Sequence, residues 1–137
     1  MQTPRAECQP DLSGISVLVV DDEPDACQLV KRVLEECKGQ AEVAHSASDA
    51  FSRLTKRRFD VLVSDIGMPV EDGYELMRRV RLLPEENNGR IPAIALTAFA
   101  RSDDRRKAAM AGFQTHVAKP VEAAELVAII ASLAGRV

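Results

Sequence analysis

The stretch Val61-Leu62-Val63-Ser64-Asp65-Ile66-Gly67-Met68-Pro69 joins an apolar run to an aspartate and then, at once, to a Gly/Pro turn. Residues 61–64 are too few for a helix and are bounded by breakers, so they read as a short buried strand. Asp65 then stands at the strand's carboxyl end, where open α/β sheets place their ligand crevices. An aspartate also opens ordinary turns, and one position cannot separate the two roles. Two other segments tip the balance toward a site. Residues 15–20 are a second apolar strand, ending in Asp21-Asp22-Glu23, and residues 93–96 a third, ending in Thr97-Ala98. Lys119-Pro120 follows a further short strand at 115–118. If these strands lie parallel, Asp21, Asp22, Asp65, Thr97 and Lys119 share one pocket. Three carboxylates at close quarters repel and need a proton or a cation between them. A hard divalent ion such as magnesium suits an all-oxygen site of this kind.

The rest of the chain supplies the alternation that a parallel sheet requires. Residues 1–13, with Thr3, Pro4, Gln9, Pro10 and Asp11, read as a flexible leader or linker, and residues 14–137 as one domain. Pro24 opens the first helix, where its missing N–H costs nothing. Ala26, Leu29, Val30, Val33, Leu34 and Cys37 recur at helical spacing until Gly39. Residues 41–45 are a second strand. Ser46 or Ser48 caps the next helix, which turns Ala47, Ala50, Phe51 and Leu54 inward. A third helix starts near Gly73, buries Leu76, Met77 and Val80 and stops before Pro84; residues 85–90 form a polar loop. A strand at 91–96 leads to a helix at 102–111 with Ser102 as its cap and Gly112 as its stop. After the strand at 115–118, a last helix fills 121–134. Five strands alternating with helices predict a flavodoxin-like, doubly wound α/β fold: a five-stranded parallel sheet with helices on both faces. In the last helix Leu126, Val127, Ile129, Ile130 and Leu133 face the sheet, while Ala124, Ala128, Ala131 and Ser132 form a weakly charged outer side.

Composition narrows the function. A net charge of −3 argues against a nucleic-acid surface. The basic clusters Lys56-Arg57-Arg58, Arg78-Arg79-Arg81 and Arg105-Arg106-Lys107 fall on helices among acids and read as solvated faces. Cys8, Cys27 and Cys37 lack metal-type spacing and fit a reducing compartment. No apolar run has the length of a membrane span and residues 1–10 lack a signal-peptide pattern, so a cytoplasmic domain without membrane contact is expected.

Taken together, Asp21-Asp22, Asp65, Met68-Pro69, Asp72-Gly73, Thr97-Ala98 and Lys119-Pro120 resemble the response-regulator receiver domains of two-component signalling, over about residues 14 to 134. The resemblance implies a signalling domain rather than an enzyme. Asp65 would accept a phosphoryl group from the phosphohistidine of a histidine kinase or phosphotransfer domain. Asp22, Asp65 and the backbone carbonyl of Gly67 would hold Mg2+, with Asp21 acting through water. Thr97, Ala98 and Lys119 would bind the phosphoryl oxygens, a cis bond before Pro120 would aim Lys119 inward, and helix 4, strand 5 and helix 5 would form the switching surface. The same surface is the expected place for a dimer or partner to dock. One position departs from the pattern: His116 stands where most receivers carry Tyr or Phe, which implies weaker coupling to that surface. Gly67 offers no side chain to position a hydrolytic water and Phe99 would shield its path, so slow loss of phosphate is expected. The segments 97–101 and 112–120 look most like receivers at the carboxyl end of hybrid histidine kinases, with a free-standing regulator as the alternative. A phosphatase of the haloacid dehalogenase type needs a second aspartate where this chain has Gly67, and is rejected. A degenerate receiver that only binds is disfavoured by the complete residue set.

Overall fold

A computed structural model gives the fold for residues 11–98 and 102–135, with residues 102 and 103 described by backbone alone. The elements are β1 Ser16–Val20, α1 Pro24–Glu36, β2 Gln40–Ala44, α2 Ala47–Leu54, β3 Val61–Asp65, α3 Gly73–Arg81, β4 Ala93–Thr97, α4 Ser102–Ala111, β5 Thr115–Ala118 and α5 Ala123–Leu133. All strand pairs are parallel, in one sheet of order β2-β1-β3-β4-β5. The chain reverses its direction of winding between β1 and β3, the place where such sheets open a crevice. Register fixes which residues meet there. Val20 pairs with Ser64, Asp65 with Leu96 and Thr97 with Ala118. Asp21, Asp65, Thr97 and Lys119 therefore end up along one edge.

Alternation along the strands divides the core in two. Leu18, Val20, Leu62, Ala93 and Ala95 pack on one face with α2, α3 and α4, through Leu54, Leu76, Met77, Val80 and Ala108. Val17, Val19, Val61, Val63, Ile94 and Leu96 pack on the other with α1 and α5, through Leu34, Leu126, Val127 and Ile130. Burial on both faces explains why these strands are nearly all apolar.

Several sequence expectations are refined. Leu12, assigned to the leader, is fully buried and its N–H donates to Cys37 O at 2.8 Å. Its side chain fills the space beside Gly39, where even a Cβ would come within 3.2 Å of Leu12 Cβ. The left-handed residue after α1 is Lys38, at φ 73, rather than Gly39. Ser46 is the cap of α2, accepting from Asp49 N at 3.0 Å. Ala131 is buried, so the outer side of α5 keeps only Ala124, Ala128 and Ser132.

The polar loop hides a structural residue. Glu85–Asn87 form a single 3-10 turn, and Asn88 follows at φ 75 with its side chain almost wholly buried. Asn88 Oδ1 accepts from Phe59 N at 3.0 Å, while Nδ2 donates to Leu54 O and Arg57 O, each at 2.7 Å. One amide thus closes the α2–β3 connection. Asn88→Ala leaves those groups unpaired and places a Cβ-only residue in the left-handed region. It is expected to cost about 2–4 kcal/mol in urea denaturation.

Candidate functional site

The acid-bearing edge of the sheet is held by the backbone beneath it. Asp72 caps α3 by accepting from Glu75 N at 2.9 Å, and Glu75 Oε1 accepts from Asp72 N at 2.9 Å. This reciprocal cap fixes the entry of α3. Gly73 follows because nothing larger fits: a Cβ there would lie 2.5 Å from Asp65 O and 2.9 Å from Ile66 Cα. Gly73 N donates to Ile66 O at 2.8 Å, drawing the loop after Asp65 into a tight return. Val70, at the tip, is fully exposed at φ 72, and Glu71 N donates to Pro69 O at 2.8 Å across it. A β-branched residue in that conformation is strained by about 1–2 kcal/mol.

At the edge itself Lys119 is the organising cation. Its Nζ lies 3.1 Å from Asp65 Oδ1 and 3.2 Å from Asp21 Oδ2. Lys119 N donates to Thr97 O at 2.8 Å, and the Lys119–Pro120 bond is cis, as expected. Asp21 is buried, and its other oxygen accepts from Glu23 N at 3.0 Å. Asp21, Asp22 and Asp65 each present a carboxylate oxygen, the three lying within 4.8 Å of one another. Thr97 is buried, and its Oγ1 is without a hydrogen-bond partner.

A cleft of about 420 Å3 opens over these groups, lined by Asp22, Asp65, Gly67, Thr97, Ala98 and Lys119 among others. The structure thus brings together the acids, the hydroxyl, the lysine, Gly67 and Ala98. His116 lies elsewhere, half-buried on β5 beside Ala95 in register. Phe99 lies outside the described residues. Four lining residues escaped the sequence reading: Glu23, Ile66, Tyr74 and Asp104. Glu23 continues an acidic run, which was a usable signal. Tyr74 and Asp104 reach the cleft only through the packing of α3 and α4.

The electrostatics follow from burial and crowding. Burial pushes the Asp65 carboxyl above the ordinary aspartate range; the charges of Asp21 and Asp22 push the same way, and Lys119 pulls against them. For Lys119, burial alone would lower the ammonium, but the hydrogen bond and charge of Asp65, then those of Asp21, outweigh it and hold it high. Cys27, buried behind the site, donates to Asp21 O at 3.3 Å. Burial, then the charge of Asp21, raises its thiol to about 11, so it is not a nucleophile. Three carboxylates beside one ammonium leave an excess of negative charge in oxygen donors, a set that fits a hard divalent cation. The orphaned Thr97 hydroxyl fits one further anionic oxygen in the same cleft.

Comparison with known proteins agrees with this geometry. Residues 17–131 match the response regulator receiver domain family. An uncharacterized 14.6 kDa protein from Leptolyngbya boryana is 43% identical over 87% of this chain and 89% of its own length. Hybrid signal transduction histidine kinase D of Dictyostelium discoideum is 34% identical over 92% of this chain, which spans 9% of that protein. The transcriptional regulatory protein TrcR of Mycobacterium tuberculosis is 39% identical over 98% of the chain, which spans 51% of it. Among solved structures, the receiver domain of a sensor histidine kinase from Pseudomonas aeruginosa PAO1 superposes with a TM-score of 0.81 at 32% identity. That match covers 90% of this chain and 99% of that one, whose active site cleft coordinates a magnesium ion. A family match over residues 17–131 on a parallel sheet of this order makes the chain a member of the response regulator receiver domains of two-component signalling.

Proposed function

We propose that Asp65 is the phosphoacceptor, taking its phosphoryl group from a phosphohistidine on a histidine kinase or phosphotransfer domain. The observation that carries this reading is the pairing, in one cleft, of an ion-paired buried carboxylate with a buried hydroxyl that has no partner. Asp22, Asp65 and the Gly67 carbonyl would hold Mg2+, with Asp21 supporting it through water. When bound, that ion supplies positive charge to phosphoryl oxygens and carboxylates alike. An Asp65 oxygen forms the new bond to phosphorus as the P–N bond of the donor breaks and the imidazole nitrogen keeps the electron pair. Lys119 then leaves Asp65 for a phosphoryl oxygen, and the Thr97 hydroxyl donates to another. Ala98, small and exposed, leaves the approach open.

The output in this reading passes through α4, β5 and α5. The exposed face of α4 carries Arg105, Arg106, Lys107 and a largely exposed Met110, while Glu122 and Glu125 are exposed at the start of α5. Opposite charges on helices of the two opposite faces of the sheet suit a self-complementary dimer or a partner of mixed charge. His116 couples Thr97 to that face less tightly than an aromatic ring, because an imidazole drawn inward needs partners for its nitrogens. No described helix is long and apolar enough to cross a membrane, and a cytoplasmic setting accords with a phosphohistidine donor. The kinship with a hybrid kinase favours a receiver within a larger chain. The Leptolyngbya protein, matched over most of its length, favours a free-standing regulator as the second reading.

Three outcomes are expected. Acetyl phosphate with Mg2+ adds one hydroxylamine-labile phosphate by intact mass; Asp65→Asn or chelation abolishes it, and labelling that persists in either case contradicts the reading. His116→Tyr enlarges the change in amide exchange that beryllofluoride induces in α4 and β5; an unchanged response makes His116 a bystander.

The third outcome concerns stability. Asp65's folded pKa lies above its unfolded value, so the folded chain binds that proton more tightly. Stability therefore falls as pH rises from the ordinary carboxylate range, near ~3.9, through the raised folded pKa, and stays lower above it. Asp65→Asn should melt above wild type at neutral pH, with the advantage shrinking as pH drops below that range. Thermal denaturation at both pH values reads the sign.

A further inference from the structure

The cleft over Asp65 carries more negative charge than the strand-end acids account for. Glu23 and Asp104 line it with Asp22 and Asp65, and Lys119 is the sole cation among its described lining residues. Glu23 follows β1 and Asp104 lies in the first turn of α4, after β4; β1 and β4 are the two neighbours of β3. Asp65, at the end of β3, is thus flanked by an extra carboxylate on each side. A divalent cation and Lys119 together offset three of the five carboxylates once Asp21 is counted, so the cleft stays net negative. The charge of Asp104 reaches into it: burial first, and then Asp104, hold the Tyr74 phenol above the ordinary tyrosine range. The unpartnered Thr97 hydroxyl lines the same space and marks where an anionic oxygen is accommodated.

We propose that Asp104 is a specificity-determining residue of this cleft that slows free dianionic phosphodonors relative to phosphohistidine on a docked protein. The proposal rests on Asp65 being the phosphoacceptor. With either donor an Asp65 oxygen forms the new P–O bond. From acetyl phosphate, the bond between phosphorus and the acyl oxygen breaks and acetate leaves with the electron pair. From phosphohistidine, the P–N bond breaks and the imidazole keeps it. A small donor has contacts only inside the cleft, so repulsion enters its rate in full. A protein donor also binds outside the cleft, and that binding energy offsets the repulsion.

The test compares labelling rates with acetyl phosphate, a dianion, and phosphoramidate, of lower charge at neutral pH. Wild type, Asp104→Asn, Asp104→Lys and Glu85→Gln are measured at saturating Mg2+ and at two ionic strengths. Glu85 lies on the turn before β4, at the opposite end of the sheet, and controls for net charge. Asp104→Asn should speed acetyl phosphate labelling about two- to fivefold at low salt, Asp104→Lys more. The gain should be smaller for phosphoramidate, shrink with added salt, and be absent in Glu85→Gln. Equal rates in wild type and Asp104→Asn, or an equal gain in Glu85→Gln, overturn the inference while leaving Asp65 as the acceptor. No Asp65 labelling in any variant overturns both readings.

Discussion

The double ion pair of Lys119 is the interaction on which the rest of the site depends. One ammonium, 3.1 Å from Asp65 and 3.2 Å from Asp21, stands against two buried carboxylates and the half-buried Asp22 beside them. Removing charges from water costs several kcal/mol each, and a single shared cation offsets only part of that. The end of the sheet is therefore electrostatically unsatisfied by its own residues. In the proposed reading a divalent cation offsets that deficit, while burial, joined by the charges of Asp21 and Asp22, raises the affinity of Asp65 for a proton. A site arranged for stability alone would not keep three acids around one lysine.

The scaffold holds this tension with different firmness on different sides. On one side, α3 is locked by the Asp72–Glu75 cap, by the steric fit of Gly73 and by buried Leu76, Met77 and Val80. On the other, the described side chains of α4 bury only Ala108 and Ala111, which remove little apolar area from water. Arg81 adds one anchor to the end of α4, donating through Nη2 to Gly112 O at 2.6 Å. Among the described α4 side chains, Asp104 is half-buried and Arg105, Arg106 and Lys107 are exposed, so packing holds α4 chiefly through Ala108 and Ala111. In the proposed reading, a change of partner at the Thr97 hydroxyl passes into α4, whose described side chains bury less than those of α3.

How much of this could be read from the chain alone depends on whether a feature is local. The strands, helices and their order follow from apolar runs, Pro24 and the serine and aspartate caps, all local signals. The convergence of Asp21, Asp65, Thr97 and Lys119 was legible because parallel strands that end in polar residues leave few other arrangements. Leu12 was missed because a single apolar residue in a polar leader has no periodicity. Asn88 was missed because Asn87-Asn88-Gly89 looks like any turn, and its three hydrogen bonds reach residues about thirty positions away. Tyr74 and Asp104 reach the cleft only through how two helices pack, which no spacing in the sequence records.

In the proposed reading, the negative edge of the sheet is completed by a divalent cation and by a phosphoryl group on Asp65. A crystal structure of the domain with Mg2+ and beryllofluoride tests it directly. Beryllium is expected bonded to an Asp65 carboxylate oxygen, with Lys119 Nζ transferred from Asp65 to one fluorine and the Thr97 hydroxyl, now without a partner, donating to another. Beryllofluoride bound away from Asp65, or bound there with Thr97 Oγ1 still unpartnered and Lys119 unmoved, would contradict it.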